Sequence, residues 1–380
     1  MTVQVLIGSD ICPTAENIPW FANGDAVGIF HDLLDDFKSA DLSIVDLECP
    51  LTDQDHPIPK RGPCLKAPPS CAQTFRNANI HVLNLANNHI LDQGAIGLKD
   101  TLEAAMAAGL DTVGAGRNLA EARRILVKDV DGLRIGILGL ADHEFSIATA
   151  KTYGANPLDL IDFTRQLAAE RDKFDYLIVI LHSGIEYYQL PSPRLKETCR
   201  FLIEQGANAV ICQHTHCVGG YEEYRGGYIV YGQGNLIFDY NKIQDRSWTE
   251  GVLVRLSIAR PKEAKMELVP YVQSRGSIGA YKMETAQGQV LLKEIDERSV
   301  YIKDDALLRE RWERFCHERR NYYLSTILGH NRILEWLNKH GHLVKYLYTT
   351  NGMLGMQSLV CCESHREVLE TIFHSKSSDH

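Results

Sequence analysis

The chain has 380 residues, of which 44% are hydrophobic and 23% are charged, a balance typical of a globular protein with a substantial core. Its 40 Lys and Arg residues against 49 Asp and Glu residues give a formal net charge of −9, which argues against a protein that binds nucleic acid through a basic face. No apolar run of membrane-spanning length occurs in the sequence, so we expect no membrane segment.

Short β-rich runs alternate with amphipathic helical patterns over the first 240 residues, which predicts an α/β domain. The predicted strands, which are mostly apolar, cover residues 3–8, 42–47, 81–86, 133–140, 176–181, 209–212 and 228–231. The predicted helices cover residues 29–37, 69–78, 95–108, 159–174 and 194–205. Strands as apolar as these are expected in a sheet that is covered on both faces.

The pattern changes after residue 250. Two alternating runs, 251–258 and 266–272, flank a turn-like segment and predict an antiparallel hairpin, which is followed by a helix over 287–296. Beyond residue 300 the pattern is helical, with segments at 307–323, 331–346 and 364–373. We therefore divide the chain into a domain over residues 1–300 and a helical C-terminal region over 301–380.

The expected location of the protein is the cytoplasm. The first residues lack a basic region followed by a cleavage site, which an exported protein would carry. The ten cysteines form no Cys-x-x-Cys pair, so we expect reduced thiols. The sequence gives no indication of the oligomeric state.

Polar side chains follow one predicted strand after another, at the edge where an open α/β sheet binds its ligands. These positions are Asp10, Asp46, Glu48, Asn88, His89, His182, His214, His216 and Asn235. A single polar residue after a strand is usually a turn former or a helix cap, but so many together favour a metal site. Mixed imidazole and carboxylate ligands are typical of Mn, Fe or Zn, so we expect one or two such divalent ions as the cofactor.

Two pairs in this set have a spacing of two residues. In an extended segment His214 and His216 point to the same side of the chain, so both can face one cleft and bind the same ion or adjacent ions. Asp46 and Glu48 have the same spacing, so one carboxylate can bridge two cations while the other orients a ligand. The spacing thus favours a cluster in which several side chains share the ions.

Three neighbouring residues have other expected roles. Asn88 offers a neutral oxygen ligand, and His89 beside it is placed to contact the substrate rather than the metal. Glu186 follows His182 closely and can orient one of its ring nitrogens.

Residues around this set are candidates for binding an anionic small-molecule or peptide substrate. Arg61 and Lys66 lie in a Pro-rich loop after Glu48 and can bind a substrate anion, although exposed basic residues in loops are usually only solvated. His143 follows another predicted strand, where it either lines the pocket or belongs to a turn. The complete set of predicted substrate-binding residues is Arg61, Lys66, Asp46, His143 and Asn235.

Several motifs together resemble the poly-γ-glutamate capsule-synthesis (CapA-type) family. Besides Asp10, they are LECPLT at 47–52, LANNHILDQG at 85–94, GAG at 114–116, LHSGIEY at 181–187, HTH at 214–216 and YGQGNLIFD at 231–239. This family is similar to the calcineurin-like metallophosphoesterases. The resemblance implies a four-layer αββα sandwich, here with a C-terminal helical extension, whose strand ends hold two metal ions.

The resemblance also implies roles for individual residues. The implied ligand sets are Asp10, Glu48 and His216 for one ion, and Glu48, Asn88, His182 and His214 for the other. His89 corresponds to a histidine that stabilises the transition state in the superfamily. The superfamily's first motif is Asp-x-His, and this chain departs from it because Cys12 stands two residues after Asp10.

These residues and the resemblance lead to one main hypothesis. We expect a metal-dependent hydrolase of the CapA-type family, in which a metal-activated water attacks a phosphoester or a γ-glutamyl-type amide, with His89 and Glu186 as candidate catalytic residues. The alternative is a non-catalytic metal-binding partner of an amide ligase in poly-γ-glutamate or capsule biosynthesis, which the missing ligand and the added helical region favour. A nuclease on the same scaffold is disfavoured by the net charge.

Overall fold

The computed structural model describes residues 2–60, 62–240, 245–260 and 263–327, together with a few single positions between 333 and 360. The chain forms two units, Met1–Leu308 and Arg309–His380. Apart from those single positions, the helical segments predicted at 331–346 and 364–373 lie outside the described residues. In the part that is described, no helix combines the length and the apolar character needed to cross a bilayer.

The strands and helices follow one another as the sequence pattern predicts for an α/β domain. The described strands are β1 (Val3–Ile11), β2 (Leu42–Leu47), β3 (Val82–Asn84), β4 (Asp111–Val113), β5 (Ala115–Gly116), β6 (Leu126–Val130), β7 (Leu133–Ala141), β8 (Gly154–Ala155), β9 (Tyr176–His182), β10 (Ala209–Gln213), β11 (Tyr221–Tyr224), β12 (Gly227–Val230), β13 (Asn235–Ile237), β14 (Glu250–Arg260), β15 (Glu263–Gln273) and β16 (Ala280–Lys282). The described helices are α1 (Ile18–Ala22), α2 (Ala26–Phe30), α3 (Leu34–Ser39), α4 (Ala72–Asn77), α5 (Gly94–Ala107), α6 (Leu119–Ala122), α7 (Leu160–Glu170), α8 (Pro193–Gln205), α9 (Arg246–Thr249), α10 (Thr285–Lys303) and α11 (Asp305–Ile327).

The strands form two main sheets. In the first, the order is β16-β15-β14-β1-β2-β3-β4, and β13 pairs in parallel with the end of β1. In the second, the order is β11-β12-β10-β9-β7-β6, while β5 and β8 form a small separate ladder. The central strands of both sheets are parallel, and the predicted hairpin of β14 and β15 is antiparallel.

The two sheets pack face to face because their strands alternate apolar side chains between two sides. Val5 of β1 and Ile178 of β9 belong to one buried cluster between the sheets. The adjacent Leu6 points the other way and packs with residues of α2 to α5, whereas Val179 packs with residues of α7 and α8. These layers form the αββα sandwich that the family resemblance implied.

Every predicted strand has a counterpart, but several short strands were not predicted. β4, β13 and β16 have three residues each, which is too short to show an alternating pattern. The position of β13 matters most, because it adds its first residue to the edge where β1 and β2 end. That edge holds the candidate site.

Candidate metal centre

The carboxyl ends of parallel strands from both sheets meet at one edge of the sandwich. In the first sheet, Asp10 of β1 is in register with Asp46 of β2 and with Asn235 of β13. In the second sheet, His182 is the last residue of β9 and pairs with the end of β10. The backbone N–H of His214, which follows β10, donates to Oδ2 of Asp10 at 3.1 Å and so joins the two edges.

Three overlapping groups of buried side chains place ligand atoms within 4.8 Å of one another. The groups are Glu48 with His182 and His214, Asp10 with Glu48 and His216, and Asp10 with Asp46 and His182. Oε1 of Glu48 lies 3.5 Å from Nε2 of His182 and 3.9 Å from Nε2 of His216. Glu48 therefore belongs to two of the three groups and could contribute to two adjacent ions.

Several polar atoms of this cluster are buried without a hydrogen-bond partner among the described residues. They are Oδ1 of Asp10, both carboxylate oxygens of Glu48, and Nδ1 of both His182 and His214. Burial of such atoms without a partner costs several kcal/mol, roughly. A divalent cation satisfies carboxylate oxygens and imidazole nitrogens together, so these residues fit a metal site.

Burial and crowding shift the pKa values of the acidic residues in the cluster. Burial, with the nearby Glu48, raises the pKa of Asp10 to about 8 and holds the pKa of Asp46 well above its usual range. For Glu48 itself, burial raises the pKa, but the neighbouring His216 and His182 outweigh this effect and lower it overall. The cluster thus holds one carboxylate that stays charged between two carboxyl groups that bind protons when no cation is present.

The pKa values of His182 and His214 are shifted in opposite directions. Burial alone would lower the pKa of His182, but its contact with Glu48 raises it overall. Burial, together with the nearby His182, lowers the pKa of His214 well below its usual range. A neutral imidazole is the form that binds metal, so His214 is ready to act as a ligand.

We expect the metal-free protein to lose stability as the pH rises from about 6.5 to about 8. Over this range folded Asp10, with its pKa near 8, still binds a proton that the unfolded chain has released, and the raised pKa values of Asp46 and His182 act in the same direction. His214 opposes this slope only near pH 6.5, where its imidazole is still about half protonated in the unfolded chain, and it adds little near pH 8. Asp10 alone should account for a loss of about 1 to 2 kcal/mol.

Thermal unfolding of chelator-treated protein at several pH values between 6.5 and 8 measures this slope. Added Mn or Zn should raise the melting temperature and remove most of the slope, because a bound cation keeps the carboxylates ionised. A melting temperature of the metal-free protein that rises with pH over this range would contradict the expectation.

Two amide side chains orient the ligands. Oδ1 of Asn88 lies 3.0 Å from Nε2 of His182, while Nδ2 of Asn88 donates to Oε2 of Glu144 at 2.9 Å, which directs the amide oxygen into the cluster. Oδ1 of Asn235 lies 2.8 Å from Nδ1 of His216 and leaves Nε2 of that ring for a metal. The sequence indicated Asn88 but gave no signal for the contact with Glu144.

The segment that carries two of the histidines has an unusual backbone. His214 has a φ of 88° and His216 a φ of 52°, both in the left-handed region that favours glycine. Residues held in this region cluster at functional sites. Gly184, after His182, has a φ of 130°, and a Cβ atom there would lie 2.6 Å from Cγ2 of Thr215, so the turn requires glycine.

His89 belongs to a buried network that the sequence did not reveal. Its Nδ1 atom lies 2.6 Å from Oδ2 of Asp92, and the same carboxylate accepts from the backbone N–H of Leu65 at 2.6 Å. Nζ of Lys60 contacts Oδ1 of Asp92 and lies 3.1 Å from Nδ1 of His89. The charged end of Lys60 is thus held inside the protein, although it belongs to a loop where exposed basic residues are expected.

For three residues the observed contacts differ from the predicted roles. Asp46 is fully buried, and its carboxylate accepts from the amide groups of Asn84 and Asn87. Asn235 is also fully buried and orients His216 instead. Glu186 is exposed, and Nδ1 of His182 has no hydrogen-bond partner in the described chain, so Glu186 does not orient that ring.

The other predicted substrate-binding residues remain predictions. His143 is exposed in the segment that follows β7. Nζ of Lys66 donates to the carbonyl of Gln54 at 2.7 Å and lies 3.3 Å from the carboxylate of Asp55. Arg61 lies outside the described residues.

Cys12 takes the position of the histidine that the Asp-x-His motif would supply. It is buried, and its Sγ atom contacts the carbonyl of Pro13 at 3.8 Å. It belongs to none of the three ligand groups found in the described part of the chain. The ion near Asp10 would therefore have fewer protein ligands than the full motif provides.

Comparisons with known proteins agree with the motif resemblance. The family described as "Bacterial capsule synthesis protein PGA_cap" matches residues 6–240. A capsule biosynthesis protein CapA from Bacillus anthracis is 28% identical over 284 residues, which cover 72% of this chain and 64% of that protein. The chain thus spans less than two thirds of that relative's length.

Two further proteins are similar to this chain. A PGA biosynthesis protein CapA from Bacillus subtilis is 28% identical over 278 residues, 72% of each chain. The structure of a calcineurin-like phosphoesterase, YfkN from Bacillus subtilis, aligns with 80% of this chain and 99% of its own at 11% identity and a TM-score of 0.41. Because the family match covers more than half of the sequence and includes every ligand in the buried cluster, the chain belongs to the bacterial capsule synthesis protein PGA_cap family.

Proposed function

We propose that this protein is a metal-dependent hydrolase that acts on a phosphoester or a γ-glutamyl-type amide in poly-γ-glutamate or capsule biosynthesis. The observation that carries the proposal is the pair of buried ligand groups that share Glu48, since a shared carboxylate can hold two adjacent ions. The names of the two Bacillus relatives, which refer to capsule and PGA biosynthesis, support the biological context.

In this proposal the residues of the chain bind the divalent ions and orient the ligand atoms. Divalent ions, when bound, supply an acidified water and neutralise charge on the attacked group. Glu48 lies between the two ligand groups, and Asn88 adds an uncharged oxygen whose direction is set by Glu144. Because Asp10 and Glu48 are almost completely buried, their charges act in a medium of low polarity, where they hold cations strongly.

His89 is the residue best placed to move a proton. Its Nδ1 atom lies 2.6 Å from Oδ2 of Asp92, which leaves Nε2 available to a substrate, where the imidazolium form donates a proton and the neutral form accepts one. A buried carboxylate that holds one ring nitrogen in this way fixes the tautomer and the orientation of the ring. We assign to His89 the stabilisation of charge on the substrate or the protonation of the leaving group.

The test is to load the purified protein with Mn, Fe or Zn and to assay phosphoester and γ-glutamyl substrates. The double variant His182→Ala, His214→Ala should lose bound metal and at least about 10²-fold in activity, because it removes imidazole ligands that cannot be replaced by water without loss of affinity. His143→Ala is the control for metal content, since His143 is exposed and lies outside the ligand groups. Full activity in the double variant would disprove the proposal.

A second function is favoured by one observation, the replacement of a metal ligand by Cys12. An incomplete site suits a non-catalytic partner of an amide ligase that binds a polyglutamate-like chain. This alternative predicts that poly-γ-glutamate binds equally well before and after chelation, and that none of the loaded forms hydrolyses a substrate. Binding that disappears with the metal would exclude it.

A further inference from the structure

Aromatic side chains lie directly beside the metal ligand His216. The ring of Tyr187 is 6.1 Å from the ring of His216 and 6.3 Å from that of Trp248, with an angle of 29° between the Tyr187 and Trp248 planes. Trp248 is buried, and its Nε1 donates to the carbonyl of Phe238 at 3.1 Å. One face of Tyr187 is therefore backed by a fixed indole ring.

The remainder of Tyr187 is open. Its exposed fraction is 51%, although it is a large side chain at the edge of a buried polar cluster. Its backbone has a φ of 62°, in the left-handed region, and its N–H donates at 2.8 Å to the carbonyl of Thr215, the residue between His214 and His216. The ring position is thus tied to the backbone that carries the metal ligands.

Such strain at an exposed tyrosine suggests a function, because backbone strain of this kind concentrates at ligand sites. Phe238 is buried beneath this site, with its ring 5.7 Å from that of His216, and so helps to hold the neighbouring rings in place. An aromatic ring with one face packed and the other open is a stacking surface for a second ring.

The charge beside this surface narrows the choice of ligand. Glu186 is exposed and next to Tyr187 in the chain, and burial together with this carboxylate raises the pKa of Tyr187 to about 12, so the phenol stays neutral. A negative neighbour disfavours the side-chain carboxylates of a polyglutamate chain at this position. An uncharged planar ring has no such penalty.

We propose that Tyr187 forms a ring-binding subsite beside the metal centre, so that the preferred substrate is a phosphoester whose leaving group carries a planar aromatic or heteroaromatic ring. The inference rests on the proposed hydrolase function and selects its phosphoester form. In the reaction the phosphorus–oxygen bond to the ring-bearing group breaks, a bond from water oxygen to phosphorus forms, and a proton passes to the leaving oxygen.

The test compares benzyl phosphate with cyclohexylmethyl phosphate, whose leaving alcohols are similar in size but differ in planarity. The measured quantity is kcat/KM for benzyl phosphate divided by kcat/KM for cyclohexylmethyl phosphate. This ratio should fall about three- to tenfold in Tyr187→Leu, because stacking is lost while apolar volume is largely kept. Tyr187→Phe retains the ring and should keep the ratio within about twofold of the wild type. Tyr187→Gly is a second ringless variant, which suits the positive φ if the leucine variant folds poorly.

Phe145 provides the matched control. It is the other exposed aromatic residue described near the site, 45% exposed, with its ring 5.8 Å from Nζ of Lys60. Phe145→Leu should leave the ratio unchanged. A ratio that changes in Phe145→Leu but not in Tyr187→Leu would overturn the assignment to Tyr187.

The outcomes separate the inference from the function on which it rests. Hydrolysis of both esters with an unchanged ratio in Tyr187→Leu and Tyr187→Gly overturns the subsite alone. If the metal-loaded wild type hydrolyses no phosphoester, the proposed function fails, and calorimetry with benzylphosphonate and cyclohexylmethylphosphonate decides the subsite. Tyr187→Leu should then weaken the binding of benzylphosphonate selectively, by about three- to tenfold, and equal weakening of both ligands or of neither overturns it.

Discussion

Replacement of Lys60 by methionine is expected to destabilise the protein by about 3 to 5 kcal/mol. The side chain of Lys60 is 2% exposed and pairs with Asp92, whose side chain is fully buried. Methionine keeps the apolar stem of lysine but leaves the carboxylate of Asp92 inside the protein without its cation. Urea unfolding of the metal-free protein measures the change, so that altered metal affinity does not contribute.

The matched control is Lys66→Met in the same loop. Lys66 is about a third exposed, and its partner Asp55 is 85% exposed, so the loss should stay within about 0.5 kcal/mol. The double variant Lys60→Met, Asp92→Asn should recover part of the loss, because asparagine removes the unpaired charge. A cost below about 1 kcal/mol for Lys60→Met would show that Lys60 and Asp92 do not form the buried pair described here.

The pair of Lys60 and Asp92 also connects the loop between residues 53 and 66 to the candidate catalytic residue His89. Asp92 contacts Lys60 and accepts from the backbone N–H of Leu65, and its own carbonyl accepts from the N–H of Ile58 at 3.1 Å. The same carboxylate holds His89. Loss of Lys60 should therefore loosen the loop between residues 53 and 66 and lower kcat more than it raises KM.

The position of the cluster of candidate ligands could be predicted because it follows from a rule about parallel strands. Asp10, Asp46 and His182 each come at the end of an apolar strand, and parallel strands place their carboxyl ends at one edge. The strand pattern is local in the sequence and the edge rule is general, so neither requires knowledge of distant contacts. The αββα layers follow from the same strands. Each sheet has two apolar faces, so one face packs against the other sheet and the second is covered by helices.

The residues that surround the cluster could not be predicted in this way. Lys60 lies in a Pro-rich loop and meets Asp92 through the tertiary fold, 32 positions along the chain. Asn235 was predicted to bind substrate because it follows a predicted strand, but the unpredicted strand β13 places it beneath the surface, where it contacts His216. Tyr187 looks like an ordinary turn residue until its contacts with His216 and Trp248 are known.

Replacement of Glu48 by glutamine is expected to have the largest effect on metal binding, because Glu48 is shared by the two groups that also contain His214 and His216. Glutamine has nearly the same shape but is a neutral and weaker ligand, so both groups lose their common anion. Bound metal should fall to about a tenth of the wild-type content or less, and hydrolysis should fall on the order of 10³-fold. Metal analysis and the increase in melting temperature on metal addition measure the first effect without reference to any substrate.

Glu186→Gln is the matched control for Glu48→Gln, since it makes the same chemical change at an exposed carboxylate close to His182 in the chain. It should keep its metal and its metal-dependent rise in melting temperature, because Glu186 lies outside the three ligand groups. The metal-free forms of Glu48→Gln and the wild type should both unfold cooperatively, which separates a lost ligand from a lost fold. If Glu48→Gln retains both its metal and its activity, the shared carboxylate does not bridge two ions, and the two-metal mechanism is wrong for this protein.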